Sequence, residues 1–497
     1  MNLNDKYAVV DLEVSRPFKK GGEIIQFAVT FVKNWEIIDS FSTLINPGHK
    51  IDWQVKKLTG IHNSDVKDKP YFEEVAPQIV QLLQESVFVA HNAPFDWQFL
   101  NDSLQRAGFS KLNNPVIDTV QLSQIAIPKS SSFKLTNLVN DLNIPLATNH
   151  HANDDADMTA NLLIELKKII EKLPKIVLNN FKQRNFDLIG DNQNFLTLFD
   201  GQILTNNQRT LEDKIVISKR LTTDTSVDKS ESVSYPIDQN EKIQLFDNQI
   251  VLRSSQAIFM DAVYFALTDP TPNEFLVINS PKYLGKTLGF LLPSLIEVKT
   301  NHNKILIYVA DKKQRQHLIN EIDNKLDLAL DLRTHYFNIG GLSNIIDVNT
   351  ILNILSSKTE LDKDRNLFLA RLLVWLIDTE TGNFDDFQSK LNKSIYQEFG
   401  VSLESKLDSK NPFYEVAVDT LNQSEIIILD HSNFDNLELL TDNLKTKQLN
   451  VIVDNAEKLN RQSVDFNLIK SSMPIFIYSK SEDHDLKIVR KTDFEPI

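Results

Sequence analysis

Cysteine is absent from all 497 residues. Without a thiol there is no disulfide, no thiolate zinc site, no cysteine-ligated iron–sulfur cluster and no cysteine nucleophile. Any metal must sit on Asp, Glu, His or carbonyl oxygen, a donor set that favours hard divalent ions. Long apolar runs are missing too. No stretch approaches the roughly 18–20 residues of a membrane span. The opening "MNLNDKYAVVDLE" enters a strand pattern directly, with no signal-peptide core. A cytoplasmic location and no membrane partner are therefore expected. An excess of positive charge is also lacking, since 53 Lys and Arg stand against 67 Asp and Glu, a formal charge of −14. That does not indicate a generic polyanion binder, so any nucleic-acid contact must be local or metal-mediated.

What is present is globular in composition, with 41% hydrophobic and 24% charged residues. The chain is too long for one ordinary core, so two or three domains are expected. Residues 6–12 read as a buried strand, and 23–33 and 35–45 as a strand pair around a tight turn. Residues 71–84 have a helical period, 86–91 form a short buried strand, 94–108 a helix ending at glycine, and 114–119 another strand. A long amphipathic helix runs from Asp157. Three strands followed by alternating helices and strands predict a mixed-sheet α/β domain. Residues 174–215 read as helical and irregular, and 221–240 as a Ser/Thr/Asp-rich linker. Beyond it, 274–280 and 304–310 read as parallel-type strands ahead of helices. Residues 350–425 read as mostly helical, and 425–430 and 449–454 as buried strands. There is no internal repeat and no coiled-coil heptad.

Carboxylates recur at four points of the first 170 residues. Asp11 and Glu13 share one face at the end of the first strand, and Asp96 follows a strand-to-helix junction. His150 and Asp155 lie in "NHHANDDADMTANLL" (149–163). Acidic residues at a helix start are favoured by capping and the macrodipole, and alone that stretch demands nothing more. Five residues on a helix turn roughly 140°, so His150 and Asp155 can converge only if Asp155 is in the first turn and His150 on the loop before it. Four carboxylates on separate elements of a buried sheet repel one another without cations. Oxygen-only ligation suits two Mg²⁺ or Mn²⁺ ions roughly 3.5–4 Å apart, the arrangement for in-line phosphoryl displacement. A histidine on a nearby loop is a fit general base for the attacking water.

These residues resemble a known family. "VVDLEVS", "VAHNAPFDWQFL" and "HHANDDA" are similar to the three motifs of DnaQ-type (DEDDh) 3′–5′ exonucleases, and "KLTGIHNSDV" (57–66) and "VIDTVQLSQ" (116–124) to the segments between them. The resemblance covers residues 5–172 and implies a ribonuclease H-like mixed five-stranded sheet. The third motif there is His-x-Ala-x-x-Asp-Ala, which only His150 fits, with Ala152, Asp155 and Ala156 behind it. The resemblance thus makes His150 the base, and Asp11, Glu13, Asp96 and Asp155 the metal ligands. It leaves His151, Asp154 and Asp157 as a solvated helix start. It also makes Ser15, Thr59, Asn92 and Phe95 substrate contacts. One departure is "VSRP" (14–17), where the family has Thr-Thr or Thr-Gly after the acidic pair.

The second half resembles bacterial DinG-like helicases with damaged motifs. "INSPKYLGKTLGFLLP" (278–293) follows a strand and opens a helix, the context of a P-loop. Gly285, Lys286 and Thr287 match its end, while Lys282 and Tyr283 replace a threonine and a glycine whose bare backbone lets amides close around phosphates. By itself Gly-Lys-Thr is weak, since lysine and threonine are common at helix starts. "VLRSSQAIFMDAV" (251–263) is similar to a helicase Q-type motif. "VIVDNAEKL" (451–459) sits where a DEAH box would be: Asp454 is kept, Asn455 replaces the water-orienting glutamate and Glu457 the histidine. No second RecA-like domain follows before Ile497, so no arginine finger is expected. The expected division is 1–173 exonuclease, 174–240 helical connector and linker, and 241–497 a single RecA-like P-loop domain with a helical insertion at about 345–422.

The function that follows is a metal-dependent 3′–5′ exonuclease acting on single-stranded DNA or RNA 3′ ends, joined to a motor half without ATPase activity. Nucleotide binding through Gly285, Lys286, Thr287 and Asp454 stays open. So do an active helicase–nuclease, a docking role for the second half, and replication or repair proteins as partners. The oligomeric state is not legible.

Overall fold

The computed structural model describes the chain except for residues 18–20, 145–151, 220–233, 246–250, 269–273, 282–283, 302, 323–335, 339–344, 358, 385–386, 388–392, 402–410, 431–448, 459–473, 481–484 and 492–497. Contacts divide it into two compact units. One is Met1–Arg220 with Val348–Glu380 and Asp385–Ile395. The other is Leu221–Asp347 with Thr381–Phe384 and Tyr396–Ile497.

The first unit is built on β1 (Lys6–Val14), β2 (Ile24–Lys33) and β3 (Glu36–Leu44), then α1 (Trp53–Thr59), α2 (Asn63–Val66), α3 (Phe72–Leu83), β4 (Ser86–Ala90), α4 (Ala93–Arg106), β5 (Val116–Asp118), α5 (Thr119–Ala126), α6 (Leu135–Asp141) and α7 (Ala152–Ile170). The sheet order is β3-β2-β1-β4-β5. β1 pairs antiparallel with β2 and parallel with β4, giving the mixed five-stranded sheet expected. β2 is buried on both faces through Val32, because α7 packs across β1, β2 and β3 on one side. The β2–β3 turn places Asn34 and Trp35 at φ 52° and 65°, the left-handed pair a tight hairpin needs. Trp35 is held there by the rings of Tyr7 (5.1 Å) and Phe195 (6.1 Å).

α7 starts five residues ahead of Asp157. Asp155 therefore stands in its first turn, as convergence with the strand requires. Asp157 is not part of a solvated helix start: its carboxylate accepts a 2.5 Å hydrogen bond from Thr30 Oγ1 on β2. Beside it, fully buried Ala156 meets Ala28, and the two small side chains let helix and sheet approach closely. After α7 come α8 (Lys175–Gln183), α9 (Asn192–Leu196) and an antiparallel pair, β6 (Gln208–Leu211) and β7 (Ile215–Ser218), where irregular structure was expected.

Two helices from the segment 345–422 belong to this first unit, Val348–Ser356 and Lys363–Trp375. The second packs against α5. Its residues Phe368 to Trp375 are all buried, Arg371 among them, so this stretch has no exposed face from which periodicity could assign it a neighbour.

The second unit contains α10 (Gln239–Gln244), α11 (Ser254–Thr268), β8 (Phe275–Pro281), α12 (Lys286–Asn301), β9 (Lys304–Val309), α13 (Lys312–Glu321), β10 (Tyr336–Asn338), β11 (Ile426–Asp430), β12 (Leu449–Asp454), β13 (Ile475–Lys480) and β14 (Lys487–Lys491). Their order is β10-β11-β9-β12-β13-β8-β14, all parallel except β14. Both faces are covered. Ile305, Ile307, Ile428 and Ile452 face one apolar cluster, and Leu306, Tyr308, Leu429 and Val453 the other. That explains the near-continuous apolar strands. No described helix is long and apolar enough to cross a membrane.

Candidate metal centre

β1 runs through the middle of the sheet, and its last turn of pleat carries Asp11 and Glu13. Their neighbours on β2 are Ala28 and Gln26, with a bulge directly after Glu13. Asp155 comes over this strand end from α7. Carboxylate oxygens of Asp11, Glu13 and Asp155 lie within 4.8 Å of one another, each half-buried, and this is the metal-type cluster found among the described residues. Asp96, in the first turn of α4, is 6% exposed and accepts a hydrogen bond from the backbone amide of Leu12.

Burial is the main cause of the electrostatics. It pushes the Asp11 carboxyl well above the usual range, and repulsion from Asp96, Glu13 and Asp155 adds to it. Burial and then Asp155 raise Glu13 to about 7. Burial raises Asp96 to about 8, against the pull of the Leu12 amide and its own. Three acids whose ionisation is disfavoured, Asp11, Glu13 and Asp96, beside the converging oxygens of Asp11, Glu13 and Asp155, fit a hard divalent cation: the cation supplies the charge the protein withholds.

The β4–α4 junction is set by Asn92 together with Asp118, His91 and Thr119, three residues that the sequence reading did not single out. Asn92 sits at φ 76°, and its amide donates to Asp118 Oδ1 (3.2 Å). Asp118 is 2% exposed and also caps α5 through the Val120 amide (2.9 Å). His91 lies between Thr119 Oγ1 and the Phe133 carbonyl, 3.0 Å from each, and burial lowers its pKa. An acid that ends a short apolar strand and directly precedes a helix was the available signal for Asp118.

His150 and His151 lie outside the described residues, as do Lys282 and Tyr283. Phe95 is 44% exposed at the start of α4, and Asn92 is exposed. Ser15 is 0% exposed and does not face solvent. Its hydroxyl accepts from the Glu23 amide (2.9 Å) and meets His49 Nε2 (3.0 Å), so it pins the strand end. Thr59 is half-buried, donating to the Val55 carbonyl and accepting from the Ile61 amide at the end of α1.

In the second unit Gly285 has φ 78°, and a Cβ there would come within 2.5 Å of Gln256 Nε2, which donates to the Gly285 carbonyl at 3.1 Å. Lys286 Nζ reaches Asp454 Oδ1 (3.4 Å), Asn455 Oδ1 (3.0 Å) and Ser479 Oγ. Asn455, at φ 54°, also donates through Nδ2 to Asp454 Oδ2 (2.9 Å) and accepts from Ser479 Oγ (2.6 Å). Thr287 is half-buried in the first turn of α12. Ser479 comes from β13, a strand absent from the sequence reading.

The model of the RNase_T family, described as "Exonuclease", matches residues 8–163. Among curated proteins, the 3′-5′ exonuclease DinG of Bacillus subtilis (strain 168) is 28% identical over 448 residues, 86% of this chain and 47% of that protein. The 3′-5′ exonuclease DinG of Staphylococcus haemolyticus is 27% identical over 437 residues, with the same coverage. The chain thus spans about half the length of the curated relatives it matches. Among solved structures, exonuclease X in complex with 5′ overhanging duplex DNA is 25% identical, covering 33% of this chain and 91% of that one with a TM-score of 0.27. E. coli exonuclease I in complex with a dT13 oligonucleotide is 17% identical, covering 37% and 44%, with a TM-score of 0.32. Residues 8–163 thus match the exonuclease model of the RNase_T family, in a chain that is similar over most of its length to the DinG exonucleases.

Proposed function

We propose that the protein is a divalent-metal-dependent 3′–5′ exonuclease that releases nucleotides from single-stranded DNA or RNA ends. The observation that carries this reading is the convergence of Asp11, Glu13 and Asp155 within 4.8 Å at the end of the central strand. With Asp96 they would hold two Mg²⁺ or Mn²⁺ ions, which when bound make water a nucleophile at neutral pH and neutralise the leaving 3′-oxygen. His150 takes the proton of the attacking water as general base. Phe95 presents an exposed ring beside Asp96 on which a terminal base can stack, and base–aromatic stacking of this kind is indifferent to sequence. Exposed Asn92 reaches the same substrate end. Ser15 holds the strand end from inside.

The test uses oligonucleotides of DNA and RNA, single- and double-stranded, labelled at either end and incubated with Mg²⁺, Mn²⁺ or a chelator. Stepwise shortening from the 3′ end that the chelator stops is expected. Degradation from the 5′ end, or undiminished activity in chelator, would overturn the reading.

For the second unit we infer a nucleotide site without ATPase activity. The supporting observation is that Lys286 is already engaged by Asp454, Asn455 and Ser479. An amide at Asn455 is too weak a base to stand in for a carboxylate toward water. A coupled ATPase assay with saturating single-stranded DNA is expected to give background turnover. Turnover that disappears in Lys286→Ala would show a working motor.

A further inference from the structure

The geometry points to Arg371, more than 200 residues downstream of every candidate ligand, as a positioning residue for the metal centre, acting through the loop 127–134. This rests on the exonuclease reading above. Arg371 lies in the helix Lys363–Trp375, within the same unit as the exonuclease domain, and is 4% exposed. Its Nη2 donates to the Pro128 carbonyl (3.3 Å), and its guanidinium lies over the rings of Phe133 (5.6 Å) and Phe387 (5.1 Å). Lys129 Nζ reaches the Asp378 carbonyl (3.4 Å). Residues 371–378 thus hold both ends of the loop between α5 and α6.

That loop is one of the supports of the second motif. The Phe133 carbonyl meets His91 Nε2, and the other ring nitrogen of His91 meets Thr119. The next residue, Asn92, is fixed by Asp118, and one turn further on stands Asp96. A second route runs through α5, which packs against this helix on one side and against α7, the carrier of Asp155, on another. Both routes end on a candidate metal ligand.

A buried guanidinium over the rings of Phe133 and Phe387 is costly to desolvate, and a leucine or methionine would fill the space without that cost. What an arginine adds is direction. Its planar head stacks on an aromatic face and at the same time aims donors at a backbone carbonyl, which fixes the loop in position and not merely in contact. Groups that orient metal ligands from outside the ligand set matter to the metal nearly as much as the ligands do.

The experiment compares Arg371→Ala and Arg371→Lys in the full chain with the unmodified protein. Three readouts are taken: Mn²⁺ affinity by titration calorimetry, kcat and KM on a 3′-labelled oligonucleotide, and amide hydrogen exchange over 91–96 and 119–141. In Arg371→Ala we expect Mn²⁺ affinity and kcat each to fall about tenfold, KM to change little, and exchange to accelerate over both segments. Arg371→Lys keeps a charge and a donor but not the planar stack, so partial recovery is expected. A folded Arg371→Ala protein with unchanged Mn²⁺ affinity, kcat and exchange would overturn the inference. Should Arg371→Ala not fold, Phe133→Leu carries the test: it removes one ring of the clamp and keeps the carbonyl that His91 uses. If the unmodified protein neither binds Mn²⁺ nor shortens the substrate, the exonuclease reading falls, and the exchange data still decide whether Arg371 holds the junction.

Discussion

At the residue scale the centre is a balance between repulsion and burial. Glu13 is raised from an ordinary 4.5 to about 7 and Asp96 from 3.8 to about 8. For a carboxyl with a raised folded-state pKa the fold favours the protonated form. The stabilisation is complete below the ordinary value and is lost as pH rises through the raised one. Chelator-treated protein is therefore expected to lose melting temperature from about pH 5 to about pH 8, and saturating Mn²⁺ to restore it. A flat profile without metal would contradict this electrostatic account. Asp11→Ala removes one of the charges in conflict, so it should keep or raise the metal-free melting temperature while abolishing nuclease activity; full activity would remove Asp11 from the ligand set. His150→Gln should slow the reaction by about 10²–10⁴-fold with Mn²⁺ affinity little changed, whereas His151→Gln should be nearly neutral. Exchanged phenotypes would mean that the third motif is misaligned by one. The ligand candidates were legible because chemistry demands carboxylates, and carboxylates can be counted. The place of the Ser15 side chain was not legible, because nothing in "VSRP" reveals that its hydroxyl turns inward to Glu23 and His49. Asp118 was passed over because a capping acid and a ligand acid look alike in a string of letters.

The elements were legible wherever period and chemistry agreed. β1, β2, β3 and α3 fall within a residue or two of their expected ranges. The start of α7 was placed late because Ala152–Ala156 carries too little apolar signal to reveal its period. The β6–β7 hairpin was missed for another reason: its turn is Glu212-Asp213, both left-handed, without the glycine that usually marks such a turn. α7 is held against β2 by Ala156 on Ala28 and by Thr30 on Asp157. Ala156→Leu must lift the helix, at a cost of about 1–3 kcal/mol for overpacking, and Asp155 moves with it. Urea denaturation should report the loss of stability, and Mn²⁺ titration a weaker site. A stable variant with an unchanged site would mean that the approach of helix to sheet is looser than these contacts imply.

At the scale of the whole molecule, the first unit is discontinuous in sequence. Arg184 donates to the carbonyls of Ile354 (3.1 Å) and Thr359 (2.6 Å), Lys214 to Ser356 (2.7 Å), and the helix Lys363–Trp375 covers α5. A fragment ending at residue 220 exposes the apolar surface that these helices cover. It is expected to melt at a lower temperature and to be cut by protease in the 119–141 region, where the full chain resists. Equal resistance would show that the helices add nothing to the unit. No pattern in the first 220 residues announces this dependence, because the covering helix is buried all round from Phe368 to Trp375 and its pattern names no neighbour. Vectorial synthesis turns the same layout into a matter of timing. A ribosome that has finished residue 220 must translate about 175 more residues before the last piece of the unit exists, roughly 9–35 s at ordinary elongation rates. Through that interval the carboxylates are made but the helices that cover α5 are not, so the first unit is complete only with the downstream half of the polypeptide.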